Sequence, residues 1–240
     1  MDITQQSQIR DPQLEEQAGE HMLELSRRLD LTIYCMASLA EARDRSTVNH
    51  VRRIQNYVRI LADKLQCNPK FSPSLSAEAI ELLYRAAPLH DIGKIAIPER
   101  ILLKQGPLNR SEWEEMKRHT IYGRDALVRT EQEFGPEPFL EIARDIAYTH
   151  HERWDGQGYP EGLVGEEIPI AGRLMALADV YDALISQRVY KSAYPHNEAV
   201  EKIRKERGTH FDPEVVDAFV DKESAFFEVA SRFGDEYTSV

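Results

Sequence analysis

Cysteine is nearly absent: Cys35 and Cys67 are the only two in 240 residues. Two thiols without metal or redox spacing exclude a disulfide scaffold and fit a reducing cytoplasm. Long apolar runs are missing too, since none approaches the roughly 20 residues that a membrane-spanning helix needs. Residues 1–6 carry no basic stretch leading into an apolar core, so the expectation is a cytoplasmic protein, neither exported nor inserted in a membrane. Positive charge is scarce: 30 Lys and Arg face 41 Asp and Glu, a formal net charge of −11. That excludes the basic stripe by which a protein coats a nucleic-acid polymer. A small anionic substrate stays open, because bound metal ions reverse a local potential. Strand-type alternation never persists beyond a few residues, and there is no internal repeat or low-complexity tract. The fold class expected is all-α, one domain with an accessory helix.

What the chain does have is a series of helical apolar stripes, several of which end on a histidine or an aspartate. Residues 1–20 are polar and aperiodic, as in a linker or frayed end. A stripe then runs through Met22, Leu25, Leu29, Met36 and Leu39, with Thr32 in its gap. It covers under three heptads and is either a seam between subunits or a helix lying on the domain. The organisation expected is a linker helix over 1–37 and a main domain over 38–240. Near Ser46 and Thr47, both good caps, a second helix starts and turns His50, Ile54, Tyr57, Leu61 and Leu65 inward. Ile80, Leu83 and Ala87 set a face that, continued, places His90 and Asp91 on the inward side of one helix. Gly93 ends that pattern.

Further on, Ser111 with Glu114 forms a capping box for a helix reaching His119. Ile142, Ile146 and His150 follow at intervals of four, which puts His150 at a buried helix end with His151 beside it. Glycines and prolines over 152–169 mark a surface loop. Residues 170–185 are almost continuously apolar, so their helix is central and Asp179 is a carboxylate in the core. Asn197 to Arg207 forms a helix closed by Gly208, and Asp212-Pro213 opens the last clear one.

Seven inward-facing ligand types collect from this reading: His50, His90, Asp91, His119, His150, His151 and Asp179. Singly, a core histidine is more often hydrogen-bonded to a neighbour than bound to a metal. Five together are an expensive way to build a core, and a shared metal site explains them economically. Seven ligands exceed one four-coordinate ion and suit two octahedral ions that share a carboxylate.

The segments His90-Asp91-Ile92-Gly93-Lys94, His119, His150 to Pro160, Ala178 to Leu184, Arg188 to Lys191 and Gly208 to Pro213 resemble the HD-GYP family of cyclic di-GMP phosphodiesterases. The family name matches His90-Asp91 and Gly158-Tyr159-Pro160, and the resemblance runs from about residue 38 to 222. It implies an HD-superfamily helical bundle with an irregular Gly-Tyr-Pro loop and an extra N-terminal helix. One metal would sit on His50, His90, Asp91 and Asp179, the other on Asp91, His119, His150 and His151, with Asp91 bridging. The family's reaction would be hydrolysis of cyclic di-GMP to pGpG, or further to GMP, by a hydroxide bridging two divalent metals. Iron or manganese is the expectation, with nickel, magnesium and zinc as alternatives.

The same resemblance makes His90, Asp91 and Lys94 catalytic, with Lys94 on a phosphate oxygen. Tyr159 would pack on a guanine, and Arg188 and Lys191 would hold phosphate and guanine edge. Asp182 would orient a metal ligand, unless it lies on the helix surface. Ser46 stands where some members carry a glutamate, so two metals rather than three are expected. Two other readings remain at this stage: hydrolysis of another cyclic dinucleotide, and a catalytically silent module that reports cyclic di-GMP to a partner. The N-terminal helix would pair two copies or join an upstream receiver or sensor domain.

Overall fold

The structure, a computed structural model, describes residues 12–44, 48–186 and 193–234. Among these residues the chain is helical, with no strand: α1 (Pro12–Asp44), α2 (Val48–Gln66), α3 (Ala77–Ala86), α4 (Glu99–Leu102), α5 (Arg110–Lys117), α6 (His119–Phe134), α7 (Pro138–Thr149), α8 (Ile170–Ile185), α9 (His196–Lys205), α10 (Pro213–Asp221) and α11 (Glu223–Arg232). The all-α expectation therefore holds. Short 3₁₀ turns at Ala87–Leu89 and Ile92–Ala96 bracket His90 and Asp91.

The middle of the bundle is α8, whose Leu174, Met175, Leu177, Ala178 and Tyr181 are fully buried, as a helix apolar nearly all round must be. It packs on α2 and α7, and α2 in turn packs on α3. At the far end Tyr57, Tyr181, Phe219 and Phe226 meet ring to ring, with Tyr57 stacked on Phe226 at 4.5 Å. These contacts fasten α10 and α11 to α2 and α8.

Three local expectations are corrected. His90 and Asp91 do not continue α3. The helix stops at Ala86, because Pro88 has no N–H to give to the preceding turn, and the two residues follow a 3₁₀ turn while staying buried. The capping box is not Ser111 with Glu114 but Asn109 with Glu112: Asn109 is extended, accepts from the Glu112 N–H, and receives the Glu112 carboxylate on its own N–H. Asn caps as well as Ser and here sits at the true start. Finally, residues 12–20 belong to α1 rather than to a linker. Leu14, Glu15, Glu16, Gln17 and Ala18 are strong helix formers, which compensates for their lack of periodicity.

α1 lies against the 3₁₀ turns 87–89 and 92–96 and against α2, with Ile33, Ala37 and Ala40 buried. The stripe read from the sequence faces the other way, Met22, Leu29 and Leu39 being 66%, 50% and 63% exposed. The helix does lie on the domain, but by the face of Ile33, Ala37 and Ala40. The proposed caps Ser46 and Thr47 lie outside the described residues, as does Ser46 in its role as the substitute for a third-metal ligand.

Candidate metal centre

All seven ligand types converge. Asp91, His119, His150 and His151 place one ligand atom each within 4.8 Å of one another, and His50, His90 and Asp179 form a second such group. The helix starts and ends explain the convergence: His50 is in the first turn of α2, His119 begins α6, and His150 and His151 follow directly on α7. Asp91 stands between the groups. Its Oδ1 lies 3.3 Å from His119 Nε2 and 3.8 Å from His150 Nε2, while its Oδ2 lies 3.2 Å from His90 Nε2 and 2.7 Å from Lys94 Nζ.

The imidazoles are held from behind. Nδ1 of His90, His119 and His150 lies 3.0, 2.8 and 3.0 Å from the carbonyls of Ala87, Met116 and Ile146. A carbonyl only accepts, so each Nδ1 carries the hydrogen and each Nε2 turns a lone pair inward. His119 and His150 bring their Nε2 atoms to 3.5 Å, where two lone pairs repel unless a cation or proton lies between them.

Burial pushes His119 down, and pushes His150 and His151 well below the ordinary histidine range, so all three are neutral near pH 7. Burial acts on Asp91 in the opposite sense, raising it, but Lys94 and His90 outweigh that and hold the carboxyl well below its ordinary value. Neutral imidazoles around an ionised carboxylate are a first-row-metal donor set. Asp91 Oδ1 is buried and receives no hydrogen bond, the condition of an oxygen that fits a metal.

Behind His50 a charged network is buried. Asp182 Oδ2 lies 2.8 Å from His50 Nδ1, and Arg53 donates to both Asp182 oxygens at 2.6 and 2.9 Å. Arg53 also donates to the Phe233 carbonyl and to Ser186 Oγ. Asp182 is 2% exposed, so its surface alternative is excluded and it orients His50. The Asp182→Asn variant is expected to lower apparent metal affinity by roughly 10–100-fold, the usual effect of losing such a partner, with helix content unchanged. Titration of metal-depleted protein under circular dichroism checks both quantities, and unchanged affinity would contradict the assignment.

The loop after the His pair folds back onto it. Glu152, 1% exposed, accepts the backbone N–H groups of Glu161, Gly162 and Leu163, and the Tyr159 N–H donates to the His151 carbonyl. A Cβ on Gly158 would come within 2.5 Å of the Arg153 nitrogen and the Glu152 Cα, so only glycine permits this approach. Tyr159 consequently stacks on His151, with centroids 4.8 Å apart. Trp113, half exposed on α5, meets the Tyr159 ring edge-on at 6.3 Å, and Lys117 Nζ lies 5.7 Å from the centroid of the same ring.

Sequence reasoning missed Glu152, Arg53 and Trp113. Arg53 had a signal, a cation three residues after His50 beside the buried Ile54 and Tyr57. Nothing in the sequence separates Trp113 from an ordinary surface tryptophan. Lys94 lies beside Asp91 as expected, while Arg188 and Lys191 fall outside the described residues.

The HD domain family model matches residues 34–215. A cyclic di-GMP phosphodiesterase of Vibrio cholerae is 51% identical over 206 residues, 86% of this chain and 42% of that protein. A probable cyclic di-GMP phosphodiesterase of the same organism is 48% identical over 218 residues, 90% of this chain and 49% of that protein. The chain thus spans less than half the length of either relative. Among solved structures, an HDG"Y"P protein from Bdellovibrio bacteriovorus shares the fold, with a TM-score of 0.52 at 20% identity over 80% of this chain and 60% of that one.

Proposed function

The chain belongs to the HD domain family, and from this premise we propose that it is an HD-GYP enzyme that hydrolyses cyclic di-GMP to pGpG at a centre of two divalent metals. The observation that carries this reading is Asp91, one of whose oxygens faces each group of ligands. His50, His90, Asp91 and Asp179 would hold one ion, and Asp91, His119, His150 and His151 the other, with iron or manganese the expected metals. Such a pair would supply an activated water at neutral pH and screen the phosphoryl oxygens.

The remaining roles belong to the chain's own side chains. Lys94 presents a point charge to a phosphate oxygen at the edge of the centre. Tyr159, fixed against His151, offers a face to a guanine, an interaction worth ~1–3 kcal/mol, and Trp113 extends that aromatic wall. Arg188 and Lys191 are assigned to phosphate and guanine edge on the motif Arg188 to Lys191 alone. The apolar stripe that α1 leaves in solvent is assigned to pairing with a second copy, where an upstream receiver or sensor domain would act. No helix among the described residues is long and apolar enough to cross a membrane, and a nucleotide second messenger as substrate supports a cytoplasmic location.

The test is product analysis by chromatography with manganese- or iron-loaded protein, offered cyclic di-GMP and cyclic di-AMP in parallel. The expected result is pGpG from the former at more than tenfold the rate seen with the latter. Metal-loaded protein that leaves cyclic di-GMP intact would reject the reading, and equal rates would reject its specificity.

A further inference from the structure

Between α1 and the surface formed by α2 and α3 lies a cavity of about 380 Å³, within the roughly 300–1,000 Å³ range of small-molecule sites. Each of the three helices contributes a guanidinium to its wall: Arg27 from α1, Arg52 from α2 and Arg85 from α3. Tyr34, Tyr84 and the amides of Gln55 and Asn56 complete the polar lining, and Asp30 is its one carboxylate. Arg85 is committed to the protein, with Glu81 at 3.0 Å, Asp30 at 3.3 Å and Ser26 Oγ at 2.6 Å. Neither Arg27 nor Arg52 has a carboxylate partner among the described residues; Arg52 lies 5.6 Å from the centroid of Tyr34.

In a chain with a formal charge of −11, two guanidiniums without carboxylates at one cavity are a local reversal of sign. Such forks match a phosphate in geometry and charge, and rings beside them match a base. We propose that this cavity is a second binding site, distinct from the metal centre, which takes a nucleoside monophosphate. Its phosphate lies between Arg27 and Arg52 and its base against Tyr34 and Tyr84.

The location gives the site a consequence. α2 carries Arg52 and also His50 and Arg53, and α3, which carries Arg85, runs into the turn before His90. α1 itself rests on the 92–96 turn that holds Lys94. A ligand in the cavity clamps α1 to both elements that lead into the metal centre. Cyclic di-GMP hydrolysis is not a premise here, and a chain inactive on that substrate would leave the proposal unaffected.

Isothermal titration calorimetry of the full chain with GMP, inorganic phosphate and guanosine tests it. GMP is expected to bind at one equivalent, with phosphate and guanosine each at least tenfold weaker. Arg27→Ala combined with Arg52→Ala should weaken GMP at least tenfold, while Lys94→Ala should leave it unchanged. Both arginines are exposed, so the double variant should melt with the parent chain; if it melts lower, the single Arg27→Ala change decides the same question. Three results would overturn the proposal: no saturable GMP binding, phosphate binding as tight as GMP, or loss of GMP binding on Lys94→Ala with retention in the arginine variants.

Discussion

Asp91→Asn is expected to lower cyclic di-GMP turnover by at least about 10³-fold, equivalent to roughly 4 kcal/mol of transition-state stabilisation. The amide keeps the carboxylate's shape but not its charge, and its NH₂ cannot serve as a ligand. One Asp91 oxygen faces His119 and His150 and the other faces His90 and Lys94, so the substitution removes the anion that stands between the two ligand groups. Two cations brought together without it repel each other in a buried setting. Metal content by elemental analysis should therefore fall together with turnover. Folding is expected to survive with some loss of stability: the amide gives up the Lys94 ion pair that holds Asp91 ionised, so the variant should melt below the metal-depleted parent with its helix content intact. Turnover within tenfold of the parent, with metal retained, would remove Asp91 from the centre.

Gly93→Ala should be nearly as damaging for a different reason. A Cβ on Gly93 would lie 1.9 Å from the His119 carbonyl oxygen and 2.5 Å from the Gly123 nitrogen. Both are backbone atoms of α6, with no flexible side chain to yield. Inserting a methyl into tight packing costs about 1–3 kcal/mol even where neighbours can adjust; here the expected loss is at least about 3 kcal/mol. Because the displaced backbone carries His119, turnover should fall even where the fold persists. Gly19→Ala is the comparison, since nothing lies within 4 Å of that position and alanine in a helix is favoured by roughly 1 kcal/mol. Denaturant unfolding of both variants measures the contrast. Equal stabilities would mean that α6 does not press on the turn after Asp91.

Six of the seven candidate ligands could be read in the sequence because they sit where an apolar stripe meets the end of a helix or turn, and stripes are what burial writes into a chain. α8 showed itself in the same way, through a run of apolar residues interrupted by Asp179. What could not be read came from single local events and from tertiary partners. Pro88 turned a continuing helix into a 3₁₀ turn without changing which side chains face inward. Asn109, two residues before Ser111, was an equally good cap, and only the backbone decided between them. Glu152 looked like one more loop carboxylate, because its partners are main-chain N–H groups that carry no signature of their own. On α1 the five residues of the stripe outweighed Ile33, Ala37 and Ala40 in the reading, yet the face of those three is the one buried.

The fastening of the Gly-Tyr-Pro loop to Glu152 bears on how a dinucleotide enters. Three amides of that loop end on one carboxylate, and a fourth ends on the carbonyl of His151. Swinging the loop aside would break all four hydrogen bonds together, which opposes a hinged motion of this segment. This wall of the metal centre is built by the chain's own hydrogen bonds and stands ready-made before a ligand arrives.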